Sequence, residues 1–240
     1  SLNGVYYANT RGGNAQAGTA VAIGNGIAGG FLNDGPATSS NKAAAEISSN
    51  GLVTAPVVWI NPALSTNAST LEPRGPVLIG PVTADIDAVN PGYSFINRGA
   101  ISGRPVDPQF SSVAVLIQGA SATNYTCLSS RAASCDLAPN SVTQTVNGNN
   151  VQVNNTGGLL NTGSIATEST TNVPTVSTQT GGRITATAIN IGAYATVPRI
   201  DVTAQNISGS STTPAIVSAL VSGVGQGNAF GILIDPNANV

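Results

Sequence analysis

Of 240 residues only 8% are charged, the net charge is −2, histidine is absent, and 41% are hydrophobic but only 4% aromatic. Eight scattered basic residues exclude the basic stripe that a phosphate backbone requires, and the missing His removes Ser-His-Asp, Cys-His and His-based metal chemistry. No apolar run approaches the roughly 18 residues of a membrane span, while scarce Lys, Glu and Met beside abundant Val, Ile, Thr and Gly favour strands over helices.

In chain order, Val5-Tyr6-Tyr7 reads as a strand end before a Gly-Gly-Asn turn, and Thr19–Ile23 as a short strand closed by Gly24-Asn25-Gly26. Phe31-Leu32-Asn33-Asp34-Gly35 is a buried strand running into a tight corner. The polar stretch 39–49, with its alanine run, is expected to form one helical turn or a loop. Pro56–Ile60 is a buried strand, residues 61–76 are a Pro/Ser/Thr-rich excursion, and Val77–Gly80 and Ala84–Asp87 resume the strand pattern. Phe95-Ile96-Asn97-Arg98-Gly99 repeats the corner, Val113–Gly119 is a strong strand, and strands 142–146 and 151–154, joined by Asn147-Gly148-Asn149-Asn150, read as a local hairpin or a tight corner. Leu159-Leu160-Asn161-Thr162-Gly163 is the third corner, followed by a Thr/Ser-rich loop to about residue 182. Strands are then expected near 183–191, 198–203, 215–221 and 230–234.

The corner phrase recurs at a spacing of 64 residues, and recurrence at fixed spacing marks a repeat architecture. Its glycines, Gly35, Gly99 and Gly163, are expected to supply positive φ, and Asn33, Asn97 and Asn161 to sit at equivalent corners. Strands separated by Gly, Asn and Pro turns, without helical crossovers, predict an all-β parallel β-helix (β-solenoid) with irregular loop excursions. A β-sandwich pilin-like subunit is the alternative. A narrow interior favours Val, Ile, Leu and Ala over aromatics. Asn33, Asn97 and Asn161 are candidates for stacking through their side-chain amides, although the 64-residue repeat is expected to cover two or three coils, so that they need not touch directly. Ten or so coils would make a rod on the order of 50 Å long. Residues 1–240 are taken as one solenoid domain. With no initiator Met or signal peptide, they are read as a mature or excised part of a longer exported protein.

Cys127 and Cys135 are the only cysteines, and their spacing fits no common zinc pattern. A disulfide closing a surface loop is preferred over two free thiols, which places the chain in an oxidising compartment. Phe95-Ile96-Asn97-Arg98-Gly99-Ala100-Ile101-Ser102 and Leu159-Leu160-Asn161-Thr162-Gly163-Ser164-Ile165-Ala166 resemble the N-x-G-x-I repeats of autotransporter-type passenger domains. Ala188-Ile189-Asn190-Ile191-Gly192-Ala193-Tyr194, continuing to Ile200, is similar to repeats in large surface proteins of alphaproteobacteria. That resemblance implies a β-helical passenger exported to the cell surface.

The acids offer one close pair, Asp85 and Asp87, on one face of a strand if 84–88 is extended. With Arg104 nearby, the pair is the basis of an alternative reading as a polysaccharide-binding or polysaccharide-cleaving β-helix. An exposed acidic pair beside a loop is the plainer one. Trp59 and Tyr6, Tyr7, Tyr93, Tyr125 and Tyr194 would form a sugar-stacking strip only if they shared a face. The glycine clusters at 24–26 and 223–227 are turns rather than phosphate loops. No catalytic residue, metal or cofactor is assigned. The leading expectation is an extracellular, non-enzymatic structural protein that self-associates into a filament, layer or adhesive stalk, with cell-surface polysaccharide as a further possible partner. The apolar final strand, with no visible polar cap after it, carries the expectation of end-to-end or strand-exchange contact with a neighbouring subunit, or of continuation into more chain.

Overall fold

The computed structural model describes residues 5–10, 19–24, 26–34, 45–51, 55–61, 76–82, 92–105, 110–129, 140–146, 149–155, 157–171, 184–207, 211–223 and 227–240. Among them the regular structure is all strand, and the strands follow one another in a fixed cycle. A first passage of the chain lays down β1 (Val5–Thr10), β2 (Val21–Ile23) and β3 (Phe31–Asn33). A second gives β4 (Glu46–Gly51), β5 (Val58–Ile60), β6 (Val77–Ile79) and β7 (Phe95–Asn97). The third has β8 (Ala100–Gly103), β9 (Ser112–Ile117) and β10 (Thr126–Leu128). It then detours through β11 (Asn140–Val146) and β12 (Asn149–Asn155) before β13 (Leu159–Asn161). The fourth comprises β14 (Ser164–Thr171), β15 (Ile184–Ile191), β16 (Ala195–Thr196) and β17 (Ile200–Val202). After a second detour, β18 (Gln205–Ile207) and β19 (Ser211–Thr213), the last passage holds β20 (Ile216–Gly223) and β21 (Gly227–Ile234).

Equivalent strands stack in parallel. The four stacks are β1-β4-β8-β14-β20, β2-β5-β9-β15-β21, β6-β10-β16 and β3-β7-β13-β17. Isolated parallel bridges, Ile27 to Ile79 and Thr196 to Asn239, extend the third of these at both ends. Among the described residues, antiparallel pairing occurs only in the two detours, β11-β12 and β18-β19. Parallel stacks visited in constant order are compatible with a β-solenoid, and differ from the antiparallel strands expected of a pilin-like sandwich. Five passages at ~4.8 Å give a stack of about 24 Å, half the expected rod. The 64-residue spacing covers one passage, because β3, β7 and β13 are direct neighbours. Long excursions, rather than additional coils, account for the difference.

One apolar cluster draws on all four stacks. Ile47, Ile101 and Ile165 come from the first, Val58, Ile60, Val115, Ile117, Ile189 and Ile191 from the second, Ile79 and Leu128 from the third, and Phe31, Phe95 and Leu159 from the fourth. Aromatics are not excluded: the rings of Phe31 and Phe95 stack with centroids 4.5 Å apart, since identical side chains in adjacent passages overlay face to face. In β9 and β15 the in-out alternation changes phase, with Ala114 beside Val115 and Ala188 beside Ile189 all fully buried. The small side chains of Ala114 and Ala188 lie at this phase change, where consecutive residues must both fit inside.

Two stretches depart from the sequence expectations. Residues 46–51, within the stretch expected as a helical turn or loop, form β4, with Ile47 fully buried and aligned with Ile101. The signal was present in Ala45-Glu46-Ile47-Ser48, which occupies the register of Gly99-Ala100-Ile101-Ser102. Ser164–Thr171, placed mostly in a loop, is an eight-residue strand whose inward positions are Ile165, Thr167, Ser169 and Thr171. Hydroxyls are tolerated there because they are bonded: Ser169 Oγ lies 2.7 Å from Ser112 Oγ, and Thr167 Oγ1 donates to the Gly103 carbonyl at 2.9 Å. The strand expected over 84–87 lies outside the described residues.

Candidate functional site

Two features stand out: a column of asparagines at one corner, and the uncovered last passage. At the corner, Asn33, Asn97 and Asn161 occupy the same register position of β3, β7 and β13 and are all fully buried. Asn33 Nδ2 donates to Asn97 Oδ1 at 2.7 Å, and Asn97 Nδ2 donates to Asn161 Oδ1 at 2.7 Å. The amides therefore stack directly, one passage apart rather than the expected two or three coils. Each amide nitrogen also faces carbonyls where the chain turns into the next strand: Ala100 O for Asn33, Gly99 O and Ser164 O for Asn97, and Gly163 O and Ile216 O for Asn161. These carbonyls fix which end of each amide points where, so the column has one direction. It stops at β17, where Val202 takes the position, and at its other end Asn33 Oδ1 is buried without a hydrogen-bond donor.

The corner glycines act differently from the expectation. Neither Gly99 nor Gly163 has positive φ, and Gly35 lies outside the described residues. A Cβ on Gly99 would lie 2.1 Å from the Ala45 carbonyl oxygen, and one on Gly163 would lie 2.1 Å from Gly99 O. Glycine is needed because the neighbouring passage's backbone passes directly against it; Ser164 N donates to Gly99 O at 2.9 Å. The residue between Asn and Gly varies, yet it also meets its neighbour: Arg98 Nη1 lies 3.3 Å from Asp34 Oδ1, with the Arg98 side chain only 3% exposed.

At the far end of the stacks, β20 and β21 each have one strand neighbour. Ile232 and Ile234 align with Ile189 and Ile191, which are fully buried, but are themselves 39% and 46% exposed. Ile216 and Leu220 of β20 and Val240 are exposed as well. At the opposite end, Ile23 and Phe31 are buried. Ile216 and Leu220 stand over Ser164 and Glu168, which point away from the core, so the exposed large side chains that continue buried positions are Ile232 and Ile234.

The remaining candidates disperse. Cys127 is fully buried on β10, while Cys135 lies outside the described residues. Asp85 and Asp87 also lie outside them, and Arg104 pairs with Glu168 at 3.5 Å on the surface. Among the described side chains, Trp59, Tyr93 and Tyr125 lie in different stacks. Trp59 sits on β5, where its Nε1 donates to Gln118 Oε1 at 3.3 Å. Tyr125 precedes β10, Tyr93 precedes β7, and Tyr6 and Tyr7 belong to β1. Sequence reading missed one cluster. The Arg199 guanidinium lies 4.1 Å over the Tyr93 ring, and Tyr93 Oη and Arg199 Nε both meet Asp201 Oδ2. Tyr93 belongs to the second passage and Arg199 to the fourth; Gly157 and Gly158, both at positive φ, occupy the intervening passage. A Cβ at Gly158 would strike the Arg199 backbone at 2.3 Å. The paired glycines were the visible signal. Among the described residues no cluster of three metal-ligating side chains forms.

Comparison with protein families, curated proteins and solved structures finds no match for this chain.

Proposed function

We propose that the chain winds as a closed parallel β-solenoid and serves as a self-associating structural element at a cell surface, of the autotransporter-passenger type. The in-register stacking of parallel strands over one apolar core carries this reading, because such a stack offers strand edges and apolar side chains to whatever is added to it. The constant order of strands, the core shared by all stacks and the asparagine column support closure. A low charge, neutral polar outer faces and the absence of any bound-group chemistry in the described residues suit a scaffold. Negative-stain microscopy with sedimentation of the 240-residue chain tests the reading: multi-subunit particles are expected, and dispersed single particles at high concentration would overturn it.

The export part of the proposal includes a Cys127–Cys135 disulfide. Thiol titration of the unfolded, unreduced protein is expected to find no reactive thiol; two thiols in protein recovered from its native compartment would remove the pairing.

A further inference from the structure

We propose that a cleft on the outer wall of the second stack binds a neutral saccharide unit. Leu116 of β9, Asn190 of β15 and Leu233 of β21 stand in register, and the residues on either side of each belong to the inward row of the same strand. The three side chains therefore leave the sheet on the side away from the core. A further strand stacked on β21 would extend this wall without covering it, so the cleft does not depend on self-association.

The corner after these strands adds Gln118, Gly192 and Asp235, and the cavity measures about 410 Å³, within the range of small-molecule sites. Gly192 keeps it open. It follows Ile191 as Gln118 follows Ile117 and Asp235 follows Ile234, and it alone of the three has no side chain. The backbone does not require glycine there: φ is not positive, and a Cβ would lie 3.4 Å from Gln118 Cγ, an ordinary contact.

The polar groups suit hydroxyls. Trp59 Nε1 donates to Gln118 Oε1 at 3.3 Å, which leaves Gln118 Nε2 as the free end of that amide. Asn190 is more telling. Asn is disfavoured within strands, its register neighbours Leu116 and Leu233 are apolar, and among the described residues its side-chain amide has no hydrogen-bond partner. Asp235 Oδ1 accepts from Asn237 N at 2.8 Å, so Oδ2 remains an acceptor. Amide donors, amide and carboxylate acceptors and a leucine floor match a sugar ring, whose hydroxyls both donate and accept and whose C–H face is apolar. Other ligands fit less well. No Lys or Arg lines the cleft, so an anion would meet only the Asp235 charge. One carboxylate does not supply the oxygen shell of a hard cation. A peptide strand finds no edge at β9 or β15, which are paired on both sides.

Calorimetric titration of the whole chain with cellotetraose, N-acetylchitotetraose, maltotetraose and mannotetraose, each to about 10 mM, tests the site. At least one is expected to bind with a Kd of about 1 mM or tighter. Asn190→Leu, which matches its leucine neighbours, is expected to keep the circular dichroism spectrum and weaken that binding ~10-fold or more. Gly192→Leu fills the cleft and is expected to abolish it. No binding of any of these sugars, or binding unchanged in either folded variant, would overturn the proposal. Should the variants fail to fold, hydrogen exchange of the parent with and without the sugar decides. Protection gained at the corner amides of 118–120 and 192–194 supports the site, and protection gained only elsewhere overturns it. Sugar binding by a chain that stays dispersed would leave the cleft standing and remove only the self-association.

Discussion

At the scale of the residue, the corner phrase works through contact between passages. Asn97 accepts one amide bond and donates another, whereas Asn33 only donates within the column. Replacing Asn97 by Leu leaves Asn33 Nδ2 without its amide partner and strips Asn161 Oδ1 of its donor. The expected loss is about 2–4 kcal/mol, against roughly 1–2 for Asn33→Leu. Urea denaturation of the two variants checks the order; equal losses would mean that the column does not act as a connected chain. For the glycines, Gly163→Ala forces a methyl against a carbonyl oxygen that belongs to backbone and cannot rotate away. A cost of about 2 kcal/mol or more is expected. Gly29→Ala meets nothing within 4 Å and is expected to stay within about 0.5 kcal/mol of the parent. Thermal melts of both variants separate crowding from a general effect of losing glycine.

At the scale of the element, the hairpin β11-β12 is separable from the stacks. Its strands pair only with each other, with Val146 opposite Asn149, and β13 resumes the fourth stack as though the detour were absent. Excising residues 140–155 and rejoining the chain is expected to leave the β-type circular dichroism and shift the melting midpoint by no more than about 5 °C; loss of cooperative melting would show that the detour holds the passage in place. This hairpin was legible from its Asn-Gly turn and flanking alternation. So were the strands that carry continuous apolar residues, such as β5, β9 and β21. What sequence left hidden was β4 and most of β14. Buried positions there include Ser48, Ser49, Thr167 and Ser169, and the hydroxyls of Thr167 and Ser169 find their partners in another passage. No local pattern reports a partner tens of residues away. The spacing of the asparagines and the capacity of their amides to stack were visible, but that a single passage separates them was not. Excursions of very different length conceal how many residues one passage consumes.

At the scale of the whole molecule, self-association as proposed is expected to engage the β20-β21 end of the stacks, where Ile232 and Ile234 stand exposed over buried positions. Dilution is expected to raise the exposure of that end selectively. In hydrogen exchange, amides of β20 and β21 should lose protection as the concentration falls, while those of β7, β8 and β9 should not change. Uniform loss across the stacks would place the contact elsewhere.

The one-way run of amide bonds from Asn33 to Asn161 also bears on how the chain finds its winding. Passages differ in length, so the number of residues consumed does not tell a strand which neighbour to join. An apolar strand laid one passage out of place would still find apolar neighbours, but it would bring a buried amide against Val202 or another side chain unable to answer it. That mismatch penalises skipped and repeated passages during folding. The asparagines thus act as an index of registration, and variants lacking Asn97 are expected to refold into several slowly exchanging species even where their final stability suffices.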